Sequence, residues 1–251
     1  MREVIVSAGD AVTAKLVQQA GFDGIWVSGF EACARLGLPD NGSITMIEML
    51  NISKPIVEAV NIPVWVDVDT GYGNFQRTVR EFEKIGVAGV CVQDDEEGCK
   101  TNSLWGGKTP LMDIEAFCKK IDVKRKSLKI IARTESIIRG YPIEETMKRL
   151  DAYTLFADIL LPHTRSADKL NHVGITAKPY AIVPTKFPYY TNSRLFSMGY
   201  SMIIWANQTE RVKIKSIRDC LGNLKTGDCA DYIESNLSAS LDEMKGLMAD
   251  E

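Results

Sequence analysis

The chain has 251 residues, 45% of them hydrophobic, with a formal net charge of −3. That length supports one large core. Near-neutrality, with the densest basic run confined to KKIDVKRKSLK (119–129), argues against a nucleic-acid partner.

The first ten residues, MREVIVSAGD, lack the apolar core of a signal peptide, and no apolar run reaches membrane-spanning length. The six cysteines, at 33, 91, 99, 118, 220 and 229, form no CxxC pair. Free thiols in a reducing cytoplasm, with no membrane association, are expected.

In chain order, EVIVSAG (3–9) reads as a strand, AVTAKLVQQAG as a helix and GIWVSG (24–29) as a second strand. IPVWVDVD (62–69) leads into a helical FQRTVREFEKIG, then VAGVCVQD (87–94). KIIARTES (129–136) precedes a helical PIEETMKRLDAY, followed by ADILLPH (157–163), YAIVPT (180–185) and SMIIWAN (201–207). Eight strands alternating with helical stretches predict an α/β fold, a closed (β/α)8 TIM-type barrel formed as a single domain by residues 1–251. ADYIESNLSASLDEMKGLMADE (230–251) reads as one amphipathic C-terminal helix, with Ile233, Leu237, Leu241 and Met244 at helical spacing as a core or interface stripe.

Catalytic groups of such barrels come from the C-terminal ends of strands. Those ends supply Ser28 and Gly29, Asp67 and Asp69, Gln93 and Asp94, Arg133 and Glu135, His163, Thr185 and Lys186, and Asn207. Asp67 and Asp69, two apart on one strand, share a face and suit a hard cation; alternatively they cap the turn that follows. Arg133, His163 and Lys186 suit an anionic oxygen-rich group, and the SGF turn (28–30) offers free backbone N–H groups to an oxyanion. A buried, unpaired Arg133 guanidinium would be costly, which favours a function for it. His163 is as compatible with a structural hydrogen bond, and His172 reads as a surface residue. The chemistry these groups suggest is enolate stabilisation or phosphoryl transfer beside Mg²⁺. No GxxxxGK[ST], GxGxxG or GxSxG motif is present.

The stretches AGFDGIWVSG, LGLPD (36–40), DVDTGYGN, KTNSL (100–104), IIARTES, ILLPH, IVPTK and IIWAN together resemble the phosphoenolpyruvate mutase branch of the isocitrate lyase superfamily. The resemblance implies a Mg²⁺-dependent interconversion of phosphoenolpyruvate and phosphonopyruvate, the step that forms the C–P bond in phosphonate biosynthesis. It implies that Asp67 is the main metal-side carboxylate, supported through water by Asp69 and Asp40. Ser28, Gly29 and Phe30 would hold enolate and carboxylate oxygens, Arg133 and His163 would grip the phosphoryl group, and Asn102 would guide it. Lys100 would lie on a gating loop, and the Asn102-Ser103 pair separates mutases from their hydrolase and lyase relatives. The lyase loop K[KR]CGH is absent, and Cys99 before Lys100 does not reproduce it. The family forms homo-oligomers, dimers of dimers that exchange their last helices, acting on a small-molecule substrate.

Three features depart from the family. Its loop begins Glu-Asp-Lys and reaches Asn-Ser after five residues, whereas here Gln93-Asp94-Asp95 is followed by six, EEGCKT. Gln93 is thus a weakened metal position, for which Asp94, Asp95 or Glu96 are possible substitutes. The chain also opens almost at its first strand, and its modest length suggests an abbreviated C-terminal exchange. Two other readings follow: hydrolysis of phosphonopyruvate or C–C cleavage or decarboxylation of a related 2-oxo acid, and a non-catalytic relative that binds a 2-oxo acid.

Overall fold

Short β-branched runs build the centre of the protein. The computed structural model describes residues 2–103, 109–166, 178–227 and 230–248. The strands are β1 (Glu3–Ser7), β2 (Gly24–Val27), β3 (Val64–Asp67), β4 (Gly89–Gln93), β5 (Lys129–Thr134), β6 (Ile159–Pro162), β7 (Ala181–Ile182) and β8 (Met202–Trp205). The helices are α1 (Ala11–Gln19), α2 (Gly29–Leu36), α3 (Met46–Ala59), α4 (Phe75–Lys84), α5 (Ile114–Ile121), α6 (Ile143–Tyr153), α7 (Asn192–Ser197), α8 (Gln208–Thr226), α9 (Asp231–Asn236) and α10 (Leu241–Met248). All eight expected strands form, each shorter than its sequence run because the polar ends turn into loops or helix starts.

The strands pair in parallel in the order β6-β5-β4-β3-β2-β1-β8-β7. A parallel bridge between Leu160 and Tyr180 joins the two ends, so the sheet closes into a barrel. Period-two alternation sorts the side chains into two cores. Ile5, Trp26, Trp65, Cys91, Ile131, Leu161, Met202 and Ile204 fill the lumen, while Val27, Val66, Val90, Ile130 and Leu160 face the helices. Gly89 makes room for Trp65, because a Cβ there would lie 2.4 Å from the indole ring.

The C-terminal segment differs from the single helix expected. It forms α9 and α10, separated at Leu237–Ser240. The N–H groups of Leu237 and Ser238 both close on the Ile233 carbonyl, ending α9, and the Ser240 hydroxyl accepts the Glu243 N–H to start α10. Ile233 is buried, but Leu241 is 83% exposed and Met244 57% exposed, so the predicted stripe is not continuous core. Lys15 of α1 donates to the Leu247 carbonyl at 3.0 Å. Helix α8 buries no residue and carries the exposed apolar side chains Val212, Ile214, Ile217, Leu221 and Leu224. No described helix is long and apolar enough to cross a membrane. Cys33, Cys91, Cys99, Cys118 and Cys220 are free thiols; Cys229 and His172 lie outside the described residues.

Candidate active site

The inward parity that fills the lumen with Trp65, Cys91 and Ile131 places Asp67, Gln93 and Arg133 at its C-terminal mouth. Gln93 stands directly opposite Arg133 in the β4–β5 register. One further step along the same faces brings Ser28, Asp69 and His163 to the pocket, joined by Thr185 and Asn207, with Trp26, Phe30, Val183 and Ala206 as apolar wall. Lys186 is exposed and does not line this pocket.

After β3 the chain turns sharply. Asp69 (φ 50°) and Tyr72 (φ 55°) adopt left-handed backbone, and glycines occupy positions 71 (φ 96°) and 73 (φ 79°). Asp tolerates this region better than most residues, and the bend folds Asp69 back over the mouth beside Asp67. The Asp69 carbonyl accepts the Gln93 N–H at 2.8 Å, and the Asp69 N–H donates to Asp67 Oδ1 at 3.2 Å. Capping of α4 falls instead to Asn74, whose Oδ1 accepts the Arg77 N–H at 3.0 Å. The capping alternative thus holds in part: Asp67 Oδ1 accepts a backbone N–H at the turn, while the Asp69 carboxylate accepts none and neither acid caps α4.

The loop after β4 enters the mouth from above. Lys100 is buried between Asp40, which it contacts directly, and Asp69 Oδ1 at 2.8 Å. Asn102 Nδ2 donates to the other Asp40 oxygen. Burial alone would lower the Lys100 pKa, but Asp69, Asp40 and Asp67 outweigh it and hold the ammonium well above its usual range. Burial pushes the Asp69 carboxyl up to about 6, with Asp67 and Asp40 adding to the rise and Lys100 opposing it.

A second cluster centres on Glu135, which is fully buried. Its Oε1 accepts from Arg133 Nε and lies 2.8 Å from His163 Nδ1, and its Oε2 accepts the Ser103 hydroxyl at 2.7 Å. Arg133 also donates to Ser103 Oγ at 2.8 Å and to Asp67 Oδ2 at 3.3 Å. Burial would raise the Glu135 pKa, yet Arg133 and His163 hold this carboxyl well below the usual range. Burial and then Arg133 lower the His163 pKa, against the pull of Glu135. Sequence reading placed Glu135 at a strand end but gave it no role. Its shared parity with Arg133 was the available signal.

Of the expected substrate contacts, Ser28 and Phe30 line the pocket. Gly29 opens α2 directly against the acids: a Cβ there would lie 3.1 Å from Asp69 Oδ1. Asp94 is a correction. Its parity is opposite to that of Gln93, so it points out of the lumen, where Tyr153 Oη (2.9 Å), Arg149 (3.2 Å) and the Glu135 N–H (2.9 Å) engage its carboxylate. It is unavailable as a substitute metal ligand. Asp95 is likewise taken, by Arg139, and Glu96 is exposed.

Three buried oxygens of residues lining the pocket, Asp69 Oδ2, Gln93 Oε1 and Asn207 Oδ1, have no hydrogen-bond partner. Asp69 and Gln93, together with Asp67, make a hard, all-oxygen donor set of the kind Mg²⁺ takes. Among the described residues no three His, Cys, Asp or Glu side chains group around one metal position, so the set is two carboxylates and an amide oxygen.

Comparison with known proteins gives a consistent lineage. The family profile described as phosphoenolpyruvate phosphomutase matches residues 2–225. A phosphoenolpyruvate phosphomutase of Streptomyces hygroscopicus is 31% identical, over 97% of this chain and 82% of its own. The crystal structure of a phosphoenolpyruvate phosphomutase from Streptomyces platensis subsp. rosaceus superposes with a TM-score of 0.93 at 31% identity, covering 98% of this chain and 90% of that one. A phosphonopyruvate hydrolase in complex with oxalate and Mg²⁺ gives a TM-score of 0.89 at 26% identity, over 98% and 89% of the two chains. Proteins named phosphonopyruvate hydrolase and 2-methylisocitrate lyase also match, at 28% and 31% identity. The eight-stranded barrel, its acidic mouth and these matches place the chain in one lineage: it belongs to the phosphoenolpyruvate mutase family of the isocitrate lyase superfamily.

Proposed function

We propose that the protein catalyses the Mg²⁺-dependent interconversion of phosphoenolpyruvate and phosphonopyruvate by phosphoryl transfer between oxygen and carbon. The observation that carries this reading is the seating of Asn102 and Ser103 inside the pocket, fastened to Asp40, Arg133 and Glu135. No cysteine is among the described residues that line the pocket, which weighs against the thiol-dependent C–C lyase reading.

Each residue has a task that follows from its surroundings. Ser28 and the first-turn backbone of α2 at Gly29 and Phe30 suit the carboxylate and enolate oxygens. Arg133, fixed in orientation by Glu135 and Ser103, presents a rigid guanidinium to the phosphoryl oxygens. His163 is held through Nδ1 by Glu135, so Nε2 is left for the substrate. An arriving phosphoryl dianion favours the protonated ring, in which Nε2 donates. Asn102, its amide held at the mouth by Asp40, would guide the phosphoryl group during its passage from oxygen to carbon. Lys100 neutralises Asp40 and Asp69 and, with Asn102 and Ser103, lies across the mouth and excludes water, which would otherwise capture the phosphoryl group. Asp67, Asp69 and Gln93 would hold Mg²⁺, which supplies a fixed positive charge to polarise substrate oxygens and stabilise the enolate.

The same reading includes assembly as a homo-oligomer. The exposed apolar side chains of α8, among them Ile214, Ile217, Leu221 and Leu224, are ones that a second copy would cover. Leu221→Glu is expected to shift sedimentation of the native protein toward a smaller species, and an unchanged profile that is already monomeric contradicts the assignment.

Asn102→Ala tests the central function. It is expected to abolish formation of phosphoenolpyruvate from phosphonopyruvate, with any residual turnover appearing as pyruvate in a lactate dehydrogenase assay. Unchanged cleavage of a 2-alkylmalate-type substrate by this variant would assign the protein to the lyases.

A further inference from the structure

Gln93 stands where the family carries an acid, and the structure explains how a neutral side chain serves there. Its Nε2 donates to Asp95 Oδ2 at 2.6 Å. Asp95 is gripped in turn by Arg139, through Nε to Oδ1 at 2.9 Å and through Nη2 to Oδ2 at 2.6 Å, and Thr109 donates to Oδ1 at 3.0 Å. Arg139 is anchored on its other side by the hydroxyl and carbonyl of Thr101, each at 3.0 Å. All of Gln93, Asp95 and Arg139 are buried.

This chain of contacts fixes the amide's orientation by chemistry. A carboxylate only accepts hydrogen bonds, so the amide must turn its NH₂ toward Asp95 and its oxygen away. Gln93 lines the pocket and Asp95 does not, so the oxygen faces the mouth. There Oε1 is buried with no partner, as is Asp69 Oδ2. An orphaned carbonyl oxygen in a buried site is costly unless something positive meets it.

We infer that the amide oxygen of Gln93 is the third protein oxygen presented to the divalent cation, directly or through its water, and that Asp95 and Arg139 are the positioning residues that aim it. The inference rests on the Mg²⁺-dependent reading above. Two consequences follow. With a neutral amide in the third position, and with Asp67, Asp69 and Asp40 already paired to Arg133 and Lys100, the site would bind a divalent cation weakly and reversibly. A simple exchange of Gln93 for Glu does not reverse this, because two carboxylates would then meet across the 2.6 Å contact.

The test is binding of Mn²⁺ to the substrate-free native protein, followed by titration calorimetry and by the electron paramagnetic resonance of free Mn²⁺, with Mg²⁺ as competitor. Gln93→Met removes the oxygen while preserving shape and the Asp95–Arg139 pair, and is expected to weaken binding about tenfold or more. Asp95→Asn lets the amide adopt either orientation and is expected to weaken it several-fold. Gln93→Glu combined with Asp95→Asn supplies the acid beside a donor and is expected to bind at least about tenfold more tightly than wild type. Far-ultraviolet circular dichroism and melting of each variant confirm the fold. Equal affinity of wild type and Gln93→Met, or no binding to wild type, overturns the inference. Because no substrate is present, the expected order of affinities supports it whichever products the enzyme forms.

Discussion

Two pairs of acids sit within a few ångströms of β4, and they are used in opposite ways. Asp67 and Asp69 point into the barrel mouth, while Asp94 and Asp95 lie outside the pocket lining. Asp94 is saturated by Tyr153, Arg149 and the Glu135 N–H, and Asp95 by Arg139, Gln93 and Thr109. At the mouth, Asp67 is bonded through both oxygens, to the Asp69 N–H and to Arg133, but Asp69 keeps an oxygen without a partner and its carboxyl is pushed up to about 6 by burial. Saturated acids hold the structure together; unsaturated ones hold energy in reserve for a ligand. Removing a saturated acid should cost stability, and removing an unsaturated one should cost function.

The largest effect is expected where the two roles meet. Arg133 is the counter-charge to both Asp67 and Glu135. Arg133→Ala should lower kcat/KM about 10³-fold or more and destabilise the fold by about 3–5 kcal/mol, through two stranded buried carboxylates. Activity within tenfold of wild type would remove Arg133 from the reaction.

Asp69 and Asp94 make a matched pair for substitution. Asp69→Asn should reduce Mn²⁺ affinity roughly 100-fold, while leaving the melting temperature of the metal-free protein unchanged or higher. The sign rests on hydrogen bonding, since burial raises both carboxyls: Asp69 keeps an oxygen with no partner, where an amide NH₂ opposes no donor, whereas both oxygens of Asp94 face donors that an amide NH₂ would oppose. Asp94→Asn should do the reverse, costing about 3 kcal/mol of stability while leaving metal affinity within about twofold. Similar effects of the two on both readouts would break the distinction.

Glu31 gives the smallest and most specific test, as a buried acid with one oxygen unpartnered but outside the pocket lining. Burial raises its pKa from 4.5 to about 7, with the Ser7 hydroxyl opposing. Because the folded pKa lies above the unfolded one, the carboxyl imposes no penalty below about pH 4.5, and the penalty grows until about pH 7. Wild type should therefore lose up to about 3 kcal/mol relative to Glu31→Gln across that window. Parallel denaturation curves at both ends would contradict the assigned environment.

Much of this was legible in the sequence, for a physical reason. Parallel barrel strands are buried on both faces, so runs such as KIIARTES and IPVWVDVD announce themselves, and their charged ends stand out against them. Parity carried more information than the strand count alone. Positions 65, 67 and 69 share one face, as do 91 and 93, and 131, 133 and 135, which separates Gln93 from Asp94 and joins Glu135 to Arg133. Asp40, Lys100, Asn102 and Ser103 carry no such signal. They reach the mouth on irregular loops, and only the family resemblance pointed to them. The break between α9 and α10 was hidden by a helical apolar spacing, against which Ser238 and Ser240 favoured a terminus and a cap.

The fate of the phosphoryl group separates a mutase from a hydrolase. Phosphorus NMR of the native protein with phosphonopyruvate and Mg²⁺ follows that fate without coupling enzymes. The expected result is a phosphoenolpyruvate resonance growing as phosphonopyruvate declines, with negligible inorganic phosphate. Inorganic phosphate accumulating alongside pyruvate, with no phosphoenolpyruvate, would make the protein a hydrolase and contradict the mutase reading.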